Sequence, residues 1–461
     1  MKLQMGKLVP LAGESLYQAL ARNLKTAVNG LPAHSQLPSI RQLAKDTGFN
    51  PSTVVAALQV LSDEGLVYRR AGSGTYLSPS CLAAPISEET ILPLESQPRI
   101  DFAAGSPSPE YFPIEDFKQA FNTVLDRDRG QAFLYPEPNG YLPLRLSIVD
   151  YLRARGMLVS SDDVQITSGA QQAISLLCQT LLVPGDAACI ESPTYPGAIQ
   201  ALHASGAKLI PIPLGQQGPS SKSLQLAAKA HPRLYYAIPN FQNPTGVCYG
   251  PDARRELVQL AREHDFYIVE DDHVSELYYA GNRPQTLWQD APDRVLYVKS
   301  FSKLFMPGLR LGFMILPTQL QAAVSHAKHA ADLGSPGINQ RVLDVYLRSG
   351  RWQSYQEFLR RTYKDRAQVM QQALQRNLGN LATCYPSRGG MNFWLTFPAS
   401  CNAMRLQQSC VEAGLLISPG SDFSLPGHEF QHSVRLSIAS VFPDQIEQGI
   451  RILGNRLERM A

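Results

Sequence analysis

At 461 residues, 44% hydrophobic and 18% charged, the chain is long enough for more than one domain and ordinary enough to bury a large core. Its longest apolar runs, such as Ala173 to Val183, are broken by polar residues and too short to span a bilayer, and MKLQMGKLVP lacks a signal-peptide pattern, so no membrane partner is expected. Seven cysteines (81, 178, 189, 248, 384, 401, 410), odd in number and without a CxxC pair, argue against a disulfide framework or a zinc site and predict a cytoplasmic setting.

The net charge of +3 is unevenly placed. Residues 1–76 hold eight Lys and Arg against four Asp and Glu, an excess of four, which leaves −1 for the remainder. The first sixth of the chain is where a polyanion would dock.

Leu16, Leu20, Leu24 and Val28 recur every fourth residue and predict a helix with one apolar stripe, ended by Gly30 and Pro32. A second helix is predicted from Ser39, a good N-cap, with Ile40, Leu43 and Ala44 turned inward. After the turn Thr47-Gly48-Phe49, a third opens at Asn50 with Pro51 in its first turn. It runs through Val54, Val55, Leu58 and Leu61 to Gly65. Leu66–Arg70 and Thr75–Leu77 read as a hairpin around Ala71-Gly72-Ser73-Gly74.

Helix, turn, helix and basic hairpin over residues 11–77 make a winged helix-turn-helix plan. The third helix would enter the major groove and present Asn50, Ser52 and Thr53. Arg41, Arg69 and Arg70 would reach phosphates, and the wing-tip glycines would let backbone approach the minor groove. A small helical oligomerisation domain with solvated charges is the alternative. The stretch LPSIRQLAKDTGFNPSTVVAALQVLSDEGLVYRRAGSGTYL resembles the GntR-type DNA-binding domain over its whole length. That resemblance implies contacts to a double-stranded DNA operator from Ser39, Arg41, Thr53 and Gly72 to Gly74. Pro51 stands where the family often has arginine, which removes guanine readout from that position.

Residues 78–99, rich in Pro, Ser and acids and without periodicity, read as a linker. Beyond it, residues 100–461 form one further domain. Apolar runs at 164–167, 187–190, 208–212, 234–238, 267–269, 295–298 and 313–316 alternate with helical patterns, as in a mostly parallel sheet buried on both faces. After about residue 335 the pattern is helical and then mixed, as expected for a small C-terminal α+β subdomain.

Four motifs carry chemistry. In SFSKLFMPGLRLG, Lys303 follows a strand and is placed like a Schiff-base amine whose burial would expose the free base. Arg310, Ser300 and Ser302 could hold a phosphate; a surface Lys and Arg on a loop is the alternative. In IVEDD, acids end a buried strand, where one could hold a pyridine nitrogen protonated; a metal site or a helix N-cap is the other reading of Glu270, Asp271 and Asp272. In NFQNPTG, Asn243 could bind a phenolic oxygen. In TSGAQQAI, the amides of Gly169, Ala170 and Gln171 at a helix N-terminus suit a phosphate.

In order, SGAQQ, ESPTYPG, NPTG, EDD, SFSK…R and VRLSIA resemble fold-type I pyridoxal-phosphate enzymes of the aspartate aminotransferase family. Together with the GntR-like head, the chain resembles the MocR subfamily of transcription regulators over nearly its whole length. The implied cofactor is pyridoxal 5'-phosphate, joined to Lys303 as an internal aldimine. The same resemblance pairs Asp271 with the pyridine nitrogen, Asn243 with the ring hydroxyl, Tyr195 with the ring face, and Gly169 to Gln171, Ser300, Ser302 and Arg310 with the phosphate. Tyr135 would reach the neighbouring subunit's phosphate, implying a homodimer with shared cofactor sites, and Arg435 would clamp an amino-acid carboxylate. His273 departs from relatives that carry a tyrosine two residues after the aspartate, and it titrates near neutral pH when unperturbed. The expected function is a DNA-binding regulator that senses pyridoxal phosphate, an amine or an amino acid at Lys303. A working aminotransferase carrying a DNA-binding head is the alternative.

Overall fold

Helix α1 (Leu16–Ala27) opens a computed structural model that describes residues 15–28, 35–64, 66–70, 73–78, 99–427 and 430–460. The chain divides into two units, Met1–Ser96 and Gln97–Ala461. In the first, α2 (Ile40–Thr47) and α3 (Pro51–Asp63) follow α1, and strands β1 (Val67–Arg70) and β2 (Gly74–Leu77) pair antiparallel, with Val67 opposite Leu77 and Arg70 opposite Gly74. The caps are those read from the sequence: Ser39 Oγ accepts from Gln42 N–H at 3.3 Å and Asn50 Oδ1 from Ser52 N–H at 3.3 Å. Gly48 closes α2 in the left-handed region at φ +74°.

Leu20, Leu24, Val28, Leu43, Val54, Leu58 and Leu61 share one core. Two expected core positions do not join it. Leu16, the first residue of α1, is 54% exposed and outside this core. Val55 is 38% exposed because its neighbour Val54 takes the inward face, so the outer face of α3 is Pro51, Ser52, Val55 and Gln59. Gly30, Pro32, Gly65, Ala71 and Gly72 fall outside the described residues.

The wing is braced by residues 35–37. Leu77 N–H donates to Ser35 O, Leu37 N–H to Thr75 O, and the Gln36 amide to Ser73 O at 2.7 Å. Gly74 sits at φ +121°, where an added Cβ would lie 3.0 Å from Gln36 Nε2. Gly74→Ala therefore meets both backbone strain of about 1–3 kcal/mol and the brace itself. The expected result is faster hydrogen exchange at Leu37 and Leu77, with unchanged exchange in the larger unit.

The larger unit begins with β3 (Ile100–Asp101), α4 (Ile114–Asp128), α5 (Leu142–Arg153) and β4 (Val164–Thr167). Helix and strand then alternate through α6 (Ala170–Leu181), β5 (Ala187–Ser192), α7 (Pro196–Ala204), β6 (Lys208–Gly215), β7 (Gly218–Pro219) and α8 (Ser221–Lys229). Next come β8 (Leu234–Ala237), α9 (Pro251–Glu263), β9 (Tyr267–Asp272), α10 (Leu287–Asp290), β10 (Val295–Ser300) and β11 (Gly312–Ile315). They build one sheet in the order β4-β11-β10-β9-β8-β5-β6-β7, parallel from β10 to β6 and antiparallel around β11 and at β7. All seven expected strand runs lie in it.

Residue parity decides which core each side chain enters. Ile166, Tyr235, Ile268, Tyr297 and Phe313 pack into one core, while Ile190, Tyr236, Val269, Val298 and Met314 pack into the other with α6 and α7. Strand β6 departs from the expected doubly buried run. It lies at the sheet edge beside the two-residue β7, and of its residues only Ile212 is buried.

Helices α11 (Thr318–Asp332), α12 (Gly337–Arg348) and α13 (Arg351–Asn377) lead to the C-terminal α+β part: β12 (Thr383–Cys384), β13 (Asn392–Thr396), α14 (Ala403–Glu412), β14 (Leu415–Leu416), β15 (Ser418–Pro419), β16 (Ser433–Ser437) and α15 (Pro443–Glu458). Strand β14 pairs in parallel with β3, folding the start of the unit onto its end. Phe102 N–H donates to Leu416 O at 2.9 Å and Ser437 N–H to Phe102 O at 2.8 Å, which fixes the chain just before residues 103–105. Among the described residues no helix is long and apolar enough to cross a membrane.

Candidate functional site

Lys303 lies in the loop after β10, and its ammonium donates to Gly105 O at 2.7 Å. A Cβ on Gly105 would stand 3.3 Å from that nitrogen and 3.8 Å from Arg435 Nη1, so the missing side chain keeps the space between lysine and arginine open. Burial, and then the nearby Arg435 charge, push the Lys303 amine down to about 8. At pH 7 a lysine at the ordinary value of about 10.4 exposes about one free base in several thousand, whereas one at about 8 exposes roughly one in ten. Lys303 is protonated below this value and nucleophilic above it. The rate at which it captures an added aldehyde should thus rise with pH and become half-maximal near 8. A rise that continues past pH 10 in stopped-flow absorbance would contradict this assignment.

The three acids of β9 have three different occupations, set by parity. Glu270 accepts from the backbone N–H of Leu287 at 3.0 Å and of Trp288 at 2.9 Å, so it caps α10, and burial pushes its carboxyl up to about 7. The helix-cap reading of IVEDD is correct for this residue alone. Asp272 points to the same face. Although burial works against it, Lys299 and Arg155 hold its carboxyl far below the usual range. Asp271 points the other way, towards α6. Its Oδ2 accepts from Tyr236 Oη at 2.6 Å, while Oδ1 is buried and has no hydrogen-bond partner. Burial pushes this carboxyl up to about 6.

On the same face, Gly169 (φ +95°) leads into α6, whose first amides, at Ala170 and Gln171, have no intrahelical acceptor. A Cβ on Gly169 would stand 3.0 Å from Arg310 Nη2, which donates to Ser168 O at 2.9 Å. Ser300 Oγ accepts from Ser302 N–H at 3.1 Å. The Gln171 side chain turns away to Gly197 O, so only its backbone faces this cradle. Tyr195 is largely buried and feels the charges of both Asp271 and Arg310.

Arg435 is 7% exposed. It donates to Ser418 Oγ at 2.8 Å and to Ala103 O, and its guanidinium lies 5.3 Å from the Phe423 ring centroid. Asn392 links the two sides, accepting from Arg435 at 3.5 Å and donating to Asn243 at 3.5 Å. Both ring nitrogens of His273 are buried and unpartnered, and burial pushes the imidazole down to about 3. It stays neutral, so the near-neutral titration expected from its type does not occur. Tyr135 does not face this cluster within its own chain; it is 83% exposed, next to exposed Phe133 and Leu134.

On the head, Arg41, Asn50, Ser52, Arg69, Arg70 and Gly74 are exposed, Thr53 is half-buried, and Ser39 is exposed while capping α2. Arg70 lies 5.4 Å from the Tyr76 ring centroid and 5.7 Å from that of Tyr68. Sequence reasoning passed over Gly105, Tyr236, Asn392 and Ser418. Tyr236 was legible in principle, since it has the parity of Asp271 one strand away; the other three reach the site only through tertiary pairing.

Residues 98–453 match the family described as aminotransferase class I and II, and residues 13–77 match the gntR family of bacterial regulatory proteins. The chain belongs to the aminotransferase class I and II family and, with its GntR head, to the MocR subfamily. This MocR-type chain is 30% identical to the uncharacterized HTH-type transcriptional regulator YdfD of Bacillus subtilis, with 93% of each chain covered. It is 29% identical to the probable rhizopine catabolism regulatory protein MocR of Rhizobium meliloti, covering 92% and 89% respectively. Among solved structures, it resembles LysN, the alpha-aminoadipate aminotransferase of Thermus thermophilus complexed with N-(5'-phosphopyridoxyl)-L-leucine. That match has a TM-score of 0.74 and 34% identity, over 79% of this chain and 93% of that one.

Pyridoxal 5'-phosphate is the cofactor that this family membership assigns to the chain. The residues present fit it. The orphaned Asp271 Oδ1 lacks the donor that a protonated pyridine nitrogen would supply, and the glycine at 169 leaves the space in front of Arg310 open.

Proposed function

We propose that the chain is a cytoplasmic, homodimeric transcription regulator that binds operator DNA through residues 11–77 and senses pyridoxal phosphate, an amine or an amino acid through residues 100–461, the two joined by a linker at 78–99. The observation that carries this reading is a GntR-family head in the same chain as a buried, depressed lysine amine and an aspartate oxygen without a partner.

When bound, pyridoxal phosphate supplies an aldehyde that captures amines and a ring that withdraws electrons from them. In this reading Lys303 is the amine that holds the aldehyde carbon, and its low proton affinity keeps it available near neutral pH. Asp271, oriented by Tyr236, holds the proton on the pyridine nitrogen. Asn243 would donate to the ring hydroxyl, Tyr195 would cover the ring face, and His273 would contact the cofactor. The amides of Gly169, Ala170 and Gln171, with Ser300, Ser302 and Arg310, take the phosphate. Arg435 takes a carboxylate in a bidentate pair, held in place by Ser418 and Asn392. Tyr135, exposed on its own chain, completes the phosphate site of a second copy.

For the head, α3 enters the major groove with Asn50, Ser52 and Thr53, Arg41, Arg69 and Arg70 meet phosphates, and the wing glycines Gly72 and Gly74 let the chain approach the minor groove. A ligand at Lys303 regulates only if it has different affinities for two arrangements of the chain.

The decisive experiment selects genomic fragments bound by the full-length protein with and without pyridoxal phosphate, and repeats the selection with Lys303→Ala. Wild type should change its affinity on cofactor addition and the variant should not; identical behaviour of the two overturns sensing at Lys303. On a selected fragment, Arg41→Ala should weaken binding and lower the slope of log affinity against log salt by about one. The intact Arg435 clamp favours one second reading, a working aminotransferase. Half-reaction turnover within the usual enzyme range of about 1–1,000 per second would decide for it; a far slower rate supports regulation.

A further inference from the structure

Behind β9, away from Lys303, a buried ionic cluster has one more positive charge than negative. Asp272 is paired with Lys299 at 3.1 Å and Arg155 at 3.2 Å; Glu276 is paired with Lys299 at 2.7 Å, Arg155 at 3.0 Å and Arg283 at 2.9 Å. Three cations thus face two carboxylates. Tyr297 and Ser275 donate hydroxyls to Asp272, and Tyr151 donates to Glu276, so the acceptors of the cluster are heavily used while no negative charge is added. The cation in excess is Arg283, whose side chain is 28% exposed and whose charge solvent therefore meets only in part.

Against this cluster, beside α5, α12 and the first turns of α13, lies a cavity of about 500 Å³. Its lining includes Arg155, Arg283, Arg348, Tyr151, Trp352 and Gln356. Among the described residues, the buried side-chain atoms of this lining that have no hydrogen-bond partner are all donors: Arg283 Nε and Nη2, Gln356 Nε2 and Trp352 Nε1. Arg283 Nη2 is close to Glu276 as an ion pair but is not hydrogen-bonded to it. Trp352 is 2% exposed, so water does not serve its indole. A buried donor left unmet is unfavourable, and an acceptor placed in the cavity would relieve it. The one acid on the lining, Asp150, is 73% exposed and engaged by Arg153 at 2.9 Å. Arg348 pairs with Asp344 at 2.8 Å and leaves the surplus charge where it is.

We propose that this cavity is a second ligand site, for a small oxyanion (a carboxylate or a phosphate), held by Arg283, Gln356 and Trp352 over the floor formed by Arg155. The site goes beyond the regulatory reading and does not depend on it. Because Arg155 also holds Asp272, the residue after Asp271, an anion here contacts the network attached to the strand that supplies the cofactor acid.

The test is isothermal titration of the full-length, cofactor-loaded protein with inorganic phosphate and, separately, with succinate, at constant ionic strength. The expected result is one phosphate per chain with a change in tryptophan fluorescence; succinate, which Arg435 can also take, is scored at this site by the same fluorescence change. Arg283→Gln should weaken binding at least tenfold, and Trp352→Phe should remove the fluorescence change. Arg435→Gln, in the other site, should leave the binding intact. Saturation by only one of the two probes assigns the class and supports the site. If Arg283→Gln does not fold, Gln356→Leu takes its place, with a several-fold loss expected. No saturable binding of either anion, or binding lost with Arg435→Gln and kept with Arg283→Gln, overturns the proposal.

Discussion

The Lys303→Ala protein is expected to show none of the visible absorbance that the wild type acquires with pyridoxal phosphate, and to retain no cofactor after borohydride reduction and denaturation. The expectation rests on geometry first. Lys303 is the amine between Gly105 and Arg435, on the side of β9 that carries Asp271, whereas Lys299 is committed to Asp272 and Glu276 on the other face. Among the described residues, no other lysine has the Lys303 combination of burial and an amine pushed down to about 8. The same variant should still bind the cofactor without the covalent bond, because Asp271 and Arg310 remain, each hydrogen bond to a charged group contributing about 1.5–3 kcal/mol. Equilibrium dialysis measures that remainder. A visible band that survives the substitution would move the covalent site to another residue, and a complete loss of all binding would mean that Lys303 also maintains the pocket.

Lys299→Met is expected to destabilise the larger unit by about 1–3 kcal/mol for each of the two buried carboxylates, Asp272 and Glu276, that lose its ammonium as a donor. Lys299 is 1% exposed, and its removal leaves Asp272 and Glu276 with Arg155 and Arg283 as their remaining cations and a methyl group where a buried ammonium stood. Lys25→Met is the control: its pair with Glu64 is 57% and 44% exposed, and such pairs contribute about 0–1 kcal/mol. All three tryptophans, Trp288, Trp352 and Trp394, lie in the larger unit, so their fluorescence in a urea titration reports that unit. A loss for Lys299→Met no greater than for Lys25→Met would contradict the arrangement of this cluster. The sign of the pH effect follows from Asp272, whose carboxyl is held far below its ordinary value. Its contribution to stability is present above the ordinary carboxylate range and is lost only as pH falls well below it.

The strands were legible because continuous apolar runs between helices have few other uses, and all seven appear where the runs lie. The caps at Ser39 and Asn50 were legible because they act on their own helices. Errors arose where burial depends on what lies across the interface. Leu16 fits the stripe of α1 but stays 54% exposed at the helix start, and Lys208–Gly215 fits a central strand but sits at an edge. Glu270 looked as suited to chemistry as Asp271; its true occupation is visible only once Leu287 and Trp288 are brought to it. Gly105 gave no signal at all, because its importance comes from Lys303, 198 residues away.

Strand β9 gives a chemical meaning to each step along its chain. Its odd and even positions serve different cores, so Asp271 meets Tyr236 and the lysine side while Glu270 and Asp272 meet a helix terminus and the ionic cluster. One residue gained or lost between Tyr267 and Glu270 would exchange those assignments at a stroke. A capping acid would then be turned into the pocket and the pocket's acid into the cations. Substitutions in this strand can be graded, but a change of length cannot, and descendants of this gene should tolerate insertions in the loops on either side of β9 and none within it.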